Sequence, residues 1–212
     1  MRFSRTFGVL YDSFMFFLEK FFLKARRARL LSRAQGKVLE IGVGTGVNFK
    51  HYRQDVEYVG IEPSPHMMPR ARKKRDELLF PNRFTLHNTG CGYPEMEKLV
   101  APDSTDTIVC TLVLCTVPDP EKALENFRKW LKPGGRLLIL EHIRSHNHTA
   151  GKVQDMITPV WEKIGEGCQL NRPTDKMIAA SGFQLLREDR FNIAIPFYEA
   201  EFIKPKSAEH PQ

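Results

Sequence analysis

No apolar run in the 212 residues reaches the roughly 20 needed to cross a bilayer, because Lys, Arg, Asp or Glu interrupts each one. The first residues also lack the basic start, apolar middle and small-residue cleavage site of a secretory leader. Cysteine is scarce: Cys91, Cys110, Cys115 and Cys168 stand alone, with no C-x-x-C spacing. They read as reduced, mostly buried thiols, not as a disulfide framework. There is no internal repeat, no low-complexity stretch and no obvious linker, so one domain is expected. These absences point to a cytoplasmic protein, at most peripheral to a membrane.

Balanced charge is missing from one segment only. Residues 1–35 carry eight Lys/Arg against Asp12 and Glu19, whereas the rest holds 24 against 23. Residues 1–35 thus hold +6 of the net +7, and only that stretch invites an anionic partner.

Apolar, β-rich runs at 37–41, 58–62, 83–86, 107–114, 136–141, 183–186 and 192–202 alternate with helical patterns at 65–79, 120–131, 150–164 and 173–180. This alternation predicts an α/β fold, a parallel sheet with helices on both faces. The nearly continuous apolar runs at 107–114 and 136–141 suit strands buried on both sides. Pro133–Gly134–Gly135 marks a boundary before the second of them. The last two runs, joined through polar residues around Asp189, predict an antiparallel edge hairpin.

In open α/β sheets ligands bind beyond the carboxyl ends of the strands, so the turn after the first run is the default site. It reads "VLEIGVGTG", with Glu40 followed by Gly42, Gly44 and Gly46. A dinucleotide fingerprint needs G-x-G-x-x-G, but position 47 is Val and the third glycine falls one place early. That spacing disfavours a pyrophosphate. An ionised Glu40 beside the turn would also repel phosphate and attract a cation. Twenty residues past Gly42, Glu62 ends the second run, where a carboxylate can accept from both ribose hydroxyls. A cationic nucleoside without phosphate fits this set, and S-adenosylmethionine is one. The plain alternative is two solvated strand-end acids around an incidental turn.

"VLEIGVGTG", "GIEPSPHMM", "DSTDTIVCTLVL" and "LKPGGRLLILEH" together resemble the class I S-adenosylmethionine-dependent methyltransferases over roughly residues 30–190. The resemblance implies a Rossmann-like seven-stranded sheet of order 3-2-1-4-5-7-6 with strand seven antiparallel. It implies S-adenosylmethionine as cofactor and S-adenosylhomocysteine as product. By the same resemblance Gly42, Gly44, Thr45 and Gly46 line the cofactor, with Glu40 beside them and Asn48 capping the next helix. Glu62 and Pro63 meet the ribose, Ser64 and Met67 flank the adenine, and Thr111 and Leu112 lie under the methionine part. The family often has an acid after strand three for the adenine amine. Here that place holds Gly90 and Cys91, and Glu95 comes only after extra residues.

"VCTLVLCTVPDP", "LEHI" and "GCQLNRPT" resemble a narrower group that includes alkyl-thiol methyltransferases, with quinone C- and phospholipid N-methyltransferases more distant. The segment after strand four lacks the Asn/Asp-Pro-Pro-aromatic motif of enzymes that methylate planar amino groups. Leu112, Val113, Leu114 and Val117 instead suggest a small, apolar acceptor, a thiol or lipid-like molecule. His142 is the candidate general base. His142, His146 and His148 have no carboxylate or cysteine at ligand spacing, so no metal site is expected. The stripe Val153, Met156, Ile157, Val160, Trp161 and Ile164 reads as core that roofs the acceptor site, with Trp161 or Met156 touching substrate.

Domain boundaries are drawn at 1–35 for a basic amphipathic helical cap, 36–205 for the methyltransferase domain and 206–212 for a disordered tail. The helix opens at Asp12 or Ser13 and offers one face of Phe14, Phe17, Leu18, Phe21, Ala25 and Ala28. A spare strip of Phe16, Leu23 and Leu30 suggests peripheral contact with anionic membrane. Nucleic acid is a weaker reading, since no appended domain supplies a basic groove.

Overall fold

The computed structural model describes residues 19–206. The expected cap at Asp12 or Ser13, the residues 14–18 and the tail 207–212 lie outside that range.

Seven strands form one sheet: β1 Lys37–Ile41, β2 Glu57–Ile61, β3 Phe84–His87, β4 Thr105–Thr111, β5 Leu131–His142, β6 Gln184–Ile193 and β7 Ile195–Ile203. Their order is β3-β2-β1-β4-β5-β7-β6, with β7 antiparallel to both neighbours, as expected. Helices α1 Lys24–Leu31, α2 Met68–Asp76, α3 Met96–Leu99, α4 Pro120–Trp130, α5 His148–Ile164 and α6 Thr174–Ala180 surround it. A π-helical turn, Glu19–Leu23, leads into α1. Among the described residues, no helix is long and apolar enough to cross a membrane.

Successive side chains on a strand point to opposite faces, and here both faces are buried. Leu39, Ile41, Ile108, Cys110, Leu137 and Ile139 pack under Phe127 and Trp130 of α4. Val38, Tyr58, Val109, Leu138 and Leu140 pack under Leu30 and Leu31 of α1 and Met68 and Ala71 of α2. Each fully buried Leu, Ile or Phe of this kind stabilises by about 1.5–3 kcal/mol. α4 starts where Asp119 Oδ1 accepts from Lys122 N at 2.9 Å with Pro120 in the first turn, a standard N-terminal stop.

Four expectations are corrected. The final hairpin turns at Ala194, whose φ is +62°, not around Asp189, which pairs with Glu199 inside the strand. Charge there marks a solvent-facing edge strand, not a turn. The Pro-Gly-Gly boundary is an irregular start within β5, where the pairing register to β4 shifts. In α5 the apolar stripe divides: Met156 is 79% and Val160 63% exposed, Trp161 packs half-buried against Cys115, Cys168 and Leu170, and Gly151, Gln154 and Thr158 are buried. Gln154 turns inward because its amide is fully used, donating to Ile143 O and Leu170 O and accepting from Ser145 N. Finally, the π-helical turn and α1 bury Leu23, Arg27, Leu30 and Leu31, and leave Phe21 and Ala25 exposed. Of the strip assigned to membrane, Leu23 and Leu30 are thus buried together with Arg27, and Phe16 lies outside the described residues.

Candidate active site

The turn after β1 is tied to β2 by its backbone. Gly42 N and Val43 N both donate to Ile61 O, at 2.9 and 3.0 Å, and Gly46 N donates to Val43 O. All three glycines have positive φ, but they face different surroundings. A Cβ on Gly42 would lie 2.2 Å from Val113 Cγ2, and one on Gly46 would lie 2.5 Å from the Phe49 ring. A Cβ on Gly44 would meet only Met67 Sδ, at 4.0 Å. Gly42 and Gly46 therefore serve internal packing. Gly44, with φ +58°, presents bare backbone to open space.

Glu62 stands beside that face. Its Oε2 accepts from Gly44 N and its Oε1 from Ser64 N, both at 2.8 Å, while Asn88 Nδ2 donates to its backbone carbonyl. One carboxylate thus joins the crest of the glycine turn to the end of β2. An ionised carboxylate has about four lone-pair sites, so two remain for hydroxyls. Ser64 is half-buried and its Oγ accepts from Met67 N at 3.3 Å. Pro63 is exposed, next to Gly90. Thr45 is half-buried and accepts a long bond from Lys74 Nζ at 3.4 Å.

Other candidates turn away from this face. Glu40 is 1% exposed: Asn48 Nδ2 donates to Oε1, and the hydroxyls of Tyr52 and Tyr58 to Oε2. Burial pushes its carboxyl up from the usual range, opposed by those three bonds and by Arg27. Glu40 is therefore a buried anchor behind the turn, not a surface acid meeting a ligand. Asn48 caps nothing through its side chain, which bridges Glu40, Thr111 and Arg27. Thr111 Oγ1 accepts from both Asn48 and Arg27. Cys91 packs into the main core, and burial raises its thiol to about 11. A neutral buried thiol is a poor partner for an adenine amine.

Sequence reasoning missed Arg27. It is 5% exposed and donates to Asn48 Oδ1 at 2.6 Å and Thr111 Oγ1 at 2.7 Å. The signal was its position, four residues after Leu23 and three before Leu30, on one helical stripe. Glu141 was also undervalued. It is completely buried, and its Oε1 accepts from Val113 N and Leu114 N at 2.8 and 3.0 Å. It fixes the loop after β4, where Leu112 is held at φ +55°. Burial raises the Glu141 carboxyl to about 7 against the pull of those two amides.

The remaining group gathers at the carboxyl ends of β4 and β5. His142 is buried, with Nε2 3.1 Å from Cys168 Sγ and its ring edge-on to Phe197. Cys115 joins them, so three candidate ligand atoms lie within 4.8 Å of one another. Hydrogen bonding from the Cys115 thiol, then from His142, holds the Cys168 thiol well below its usual range. The Cys115 thiol is pushed up in return. Arg172 clamps the neighbouring loop by donating to the carbonyls of Leu114 and Val117, and Gln169 N donates to Cys115 O at 3.0 Å. His142 is thus one member of a buried cluster, not an isolated imidazole.

The methyltransferase-domain family model matches residues 11–188, and the chain belongs to that family. It is 36% identical over 164 residues to the human thiol S-methyltransferase TMT1B, covering 76% of this chain and 66% of that protein. It is 32% identical over 120 residues to a phosphatidylethanolamine N-methyltransferase of Cereibacter sphaeroides, covering 56% and 57%. The chain thus spans just under two thirds of the human relative. Among solved structures, a putative methyltransferase from Bacillus halodurans superposes with a TM-score of 0.66 at 14% identity, covering 86% of this chain and all of that one. That likeness concerns the fold alone.

Proposed function

We propose that this chain transfers a methyl group from S-adenosylmethionine to a small apolar acceptor, and that the acceptor is a thiol. The observation that carries the cofactor half is the Gly44–Glu62 pair, bare main chain beside a carboxylate with lone pairs to spare. Glu62 would accept from the ribose hydroxyls, and the open face of Gly44 would let the nucleoside approach the backbone. Ser64 and Met67 flank that space. A pyrophosphate would instead meet a carboxylate at the crest, which charge repulsion opposes.

When bound, the sulfonium supplies the electrophilic methyl group. The protein then has to align the acceptor, exclude water and handle one proton. Alignment alone can contribute roughly 7–11 kcal/mol. A free thiol has a pKa of about 8.5, so its proton must be removed near neutral pH for full reactivity. The Cys115–His142–Cys168 cluster supports that role by its place at the ends of β4 and β5.

The thiol reading follows the similarity to the human enzyme. A second reading, an amine on a phospholipid, is favoured by the outward stripe of Val153, Met156, Ile157 and Val160 on α5. Product analysis with labelled methyl donor decides between them, using an alkyl thiol and phosphatidylethanolamine vesicles as acceptors. S-methylated product supports the proposal. Label confined to the lipid amine transfers it to the second reading, and no calorimetric uptake of S-adenosylhomocysteine overturns both.

A further inference from the structure

We propose that Cys115, His142 and Cys168 form a binding site for one thiophilic divalent cation, Zn²⁺ by ligand chemistry, with a fourth coordination position open to an exogenous ligand. The three residues come from separate segments: the loop after β4, the end of β5 and the loop after α5. Nothing in their sequence spacing joins them. The fold brings one ligand atom from each within 4.8 Å of the others, with His142 Nε2 3.1 Å from Cys168 Sγ. Tetrahedral Zn²⁺ holds sulfur at about 2.3 Å and nitrogen at about 2.0–2.1 Å. Its ligands then sit roughly 3.5–3.8 Å apart, so the cluster needs only small shifts to close on the ion.

Charge favours the same conclusion. Two thiolates and one neutral imidazole around a dication sum to zero, which a buried site requires. All three side chains are under a tenth exposed. His142 Nδ1 and Glu141 Oε2, on adjacent residues, are buried with no hydrogen-bond partner among the described residues. Carbonyl clamps from Arg172 and the Gln169–Cys115 backbone bond hold the loops, so the ligand set is preorganised.

Three protein ligands leave a tetrahedral ion one vacancy, the pattern of a catalytic, not a purely structural, site. An acceptor thiol entering it would bind as thiolate, its proton passing to solvent and its sulfur remaining the nucleophile. This last step rests on the thiol reading above; the metal site does not. His142 then acts as a ligand, and the cation does the acidification assigned to the imidazole from sequence.

Chelator-treated, reduced protein titrated anaerobically with Co²⁺ tests the site. One Co²⁺ per chain is expected, with thiolate-to-cobalt charge-transfer absorption and visible bands of tetrahedral strength, displaced by Zn²⁺. The double variant C115S/C168S should lose the charge-transfer band while still binding S-adenosylhomocysteine, which certifies its fold. Reduced wild-type protein that binds S-adenosylhomocysteine but takes up no Co²⁺, or shows no thiolate band, overturns the site. Ethanethiol added to the Co²⁺ protein should shift the band, and an unchanged band with thiol methylation intact overturns substrate ligation. A cobalt spectrum without any thiol methylation sinks the thiol reading and leaves the metal site standing.

Discussion

Arg27 Nη1 lies 2.7 Å from Thr111 Oγ1, which fastens the first described α-helix to the last residue of β4. The same nitrogen holds Asn48, and Asn48 in turn holds Glu40 behind the glycine turn. Helix α1 is therefore wired to the carboxyl ends of β1 and β4.

Replacing Arg27 by Ala should destabilise the protein, by about 1–3 kcal/mol for each buried acceptor left without its donor. Urea denaturation at neutral pH measures this. R27K, which keeps the charge but not the forked geometry, should fall between wild type and R27A. A midpoint unchanged in R27A would mean that α1 is peripheral to stability.

The three glycines should separate by phenotype. G42A and G46A meet Val113 and the Phe49 ring, so they add overpacking of about 1–3 kcal/mol to the left-handed backbone penalty. G44A incurs only the backbone term, about 1–2 kcal/mol. Yet G44A should lose the most cofactor affinity relative to its loss of stability, because its methyl enters the open face. Paired denaturation and calorimetry with S-adenosylhomocysteine read both quantities.

Glu62→Ala removes a charged acceptor from Gly44 N and Ser64 N as well as from any ribose. Charged hydrogen bonds of this sort contribute about 1.5–3 kcal/mol, which corresponds to a roughly 10- to 100-fold rise in the Kd for S-adenosylhomocysteine. Calorimetry showing less than a threefold change would remove Glu62 from the cofactor site.

Cys91 supplies a pH test. Burial raises its thiol from 9.0 to about 11. A group raised in the folded state contributes stability that is complete below its unfolded pKa and disappears as pH climbs through the folded one. Stability should therefore decline between pH 9.0 and about 11, by up to about 3 kcal/mol from this residue. C91A should lack that component. The comparison is the difference in slope of unfolding free energy against pH between the two proteins, which cancels the tyrosines common to both.

The strands and the glycine turn were legible because they are written locally, and the sheet order came with the family resemblance. Apolar runs such as those of β4 and β5 carry their own strand signal, and the motifs around Gly44 and Glu62 follow the neighbouring parallel strands β1 and β2. What failed was decided by partners distant in sequence. Arg27 looks like surface charge until Asn48 and Thr111 satisfy it. Glu40 looks exposed until Tyr52 and Tyr58 close over it. The α5 stripe looks like core, yet Gln154 outcompetes it for the inside by using its whole amide. Cys115, His142 and Cys168 share no spacing at all. Their meeting follows from topology: β4 and β5 are neighbours, and the loop after α5 returns across both.

Strand β6 closes one margin of the sheet with Arg187, Glu188, Asp189 and Arg190 in an unbroken row. Arg190 is engaged by Asp175 and Glu188, and Asp189 by Arg26. A further strand added to that margin would have to lay its own side chains beside this row of charges, which disfavours edge-to-edge pairing where no helix covers the strand.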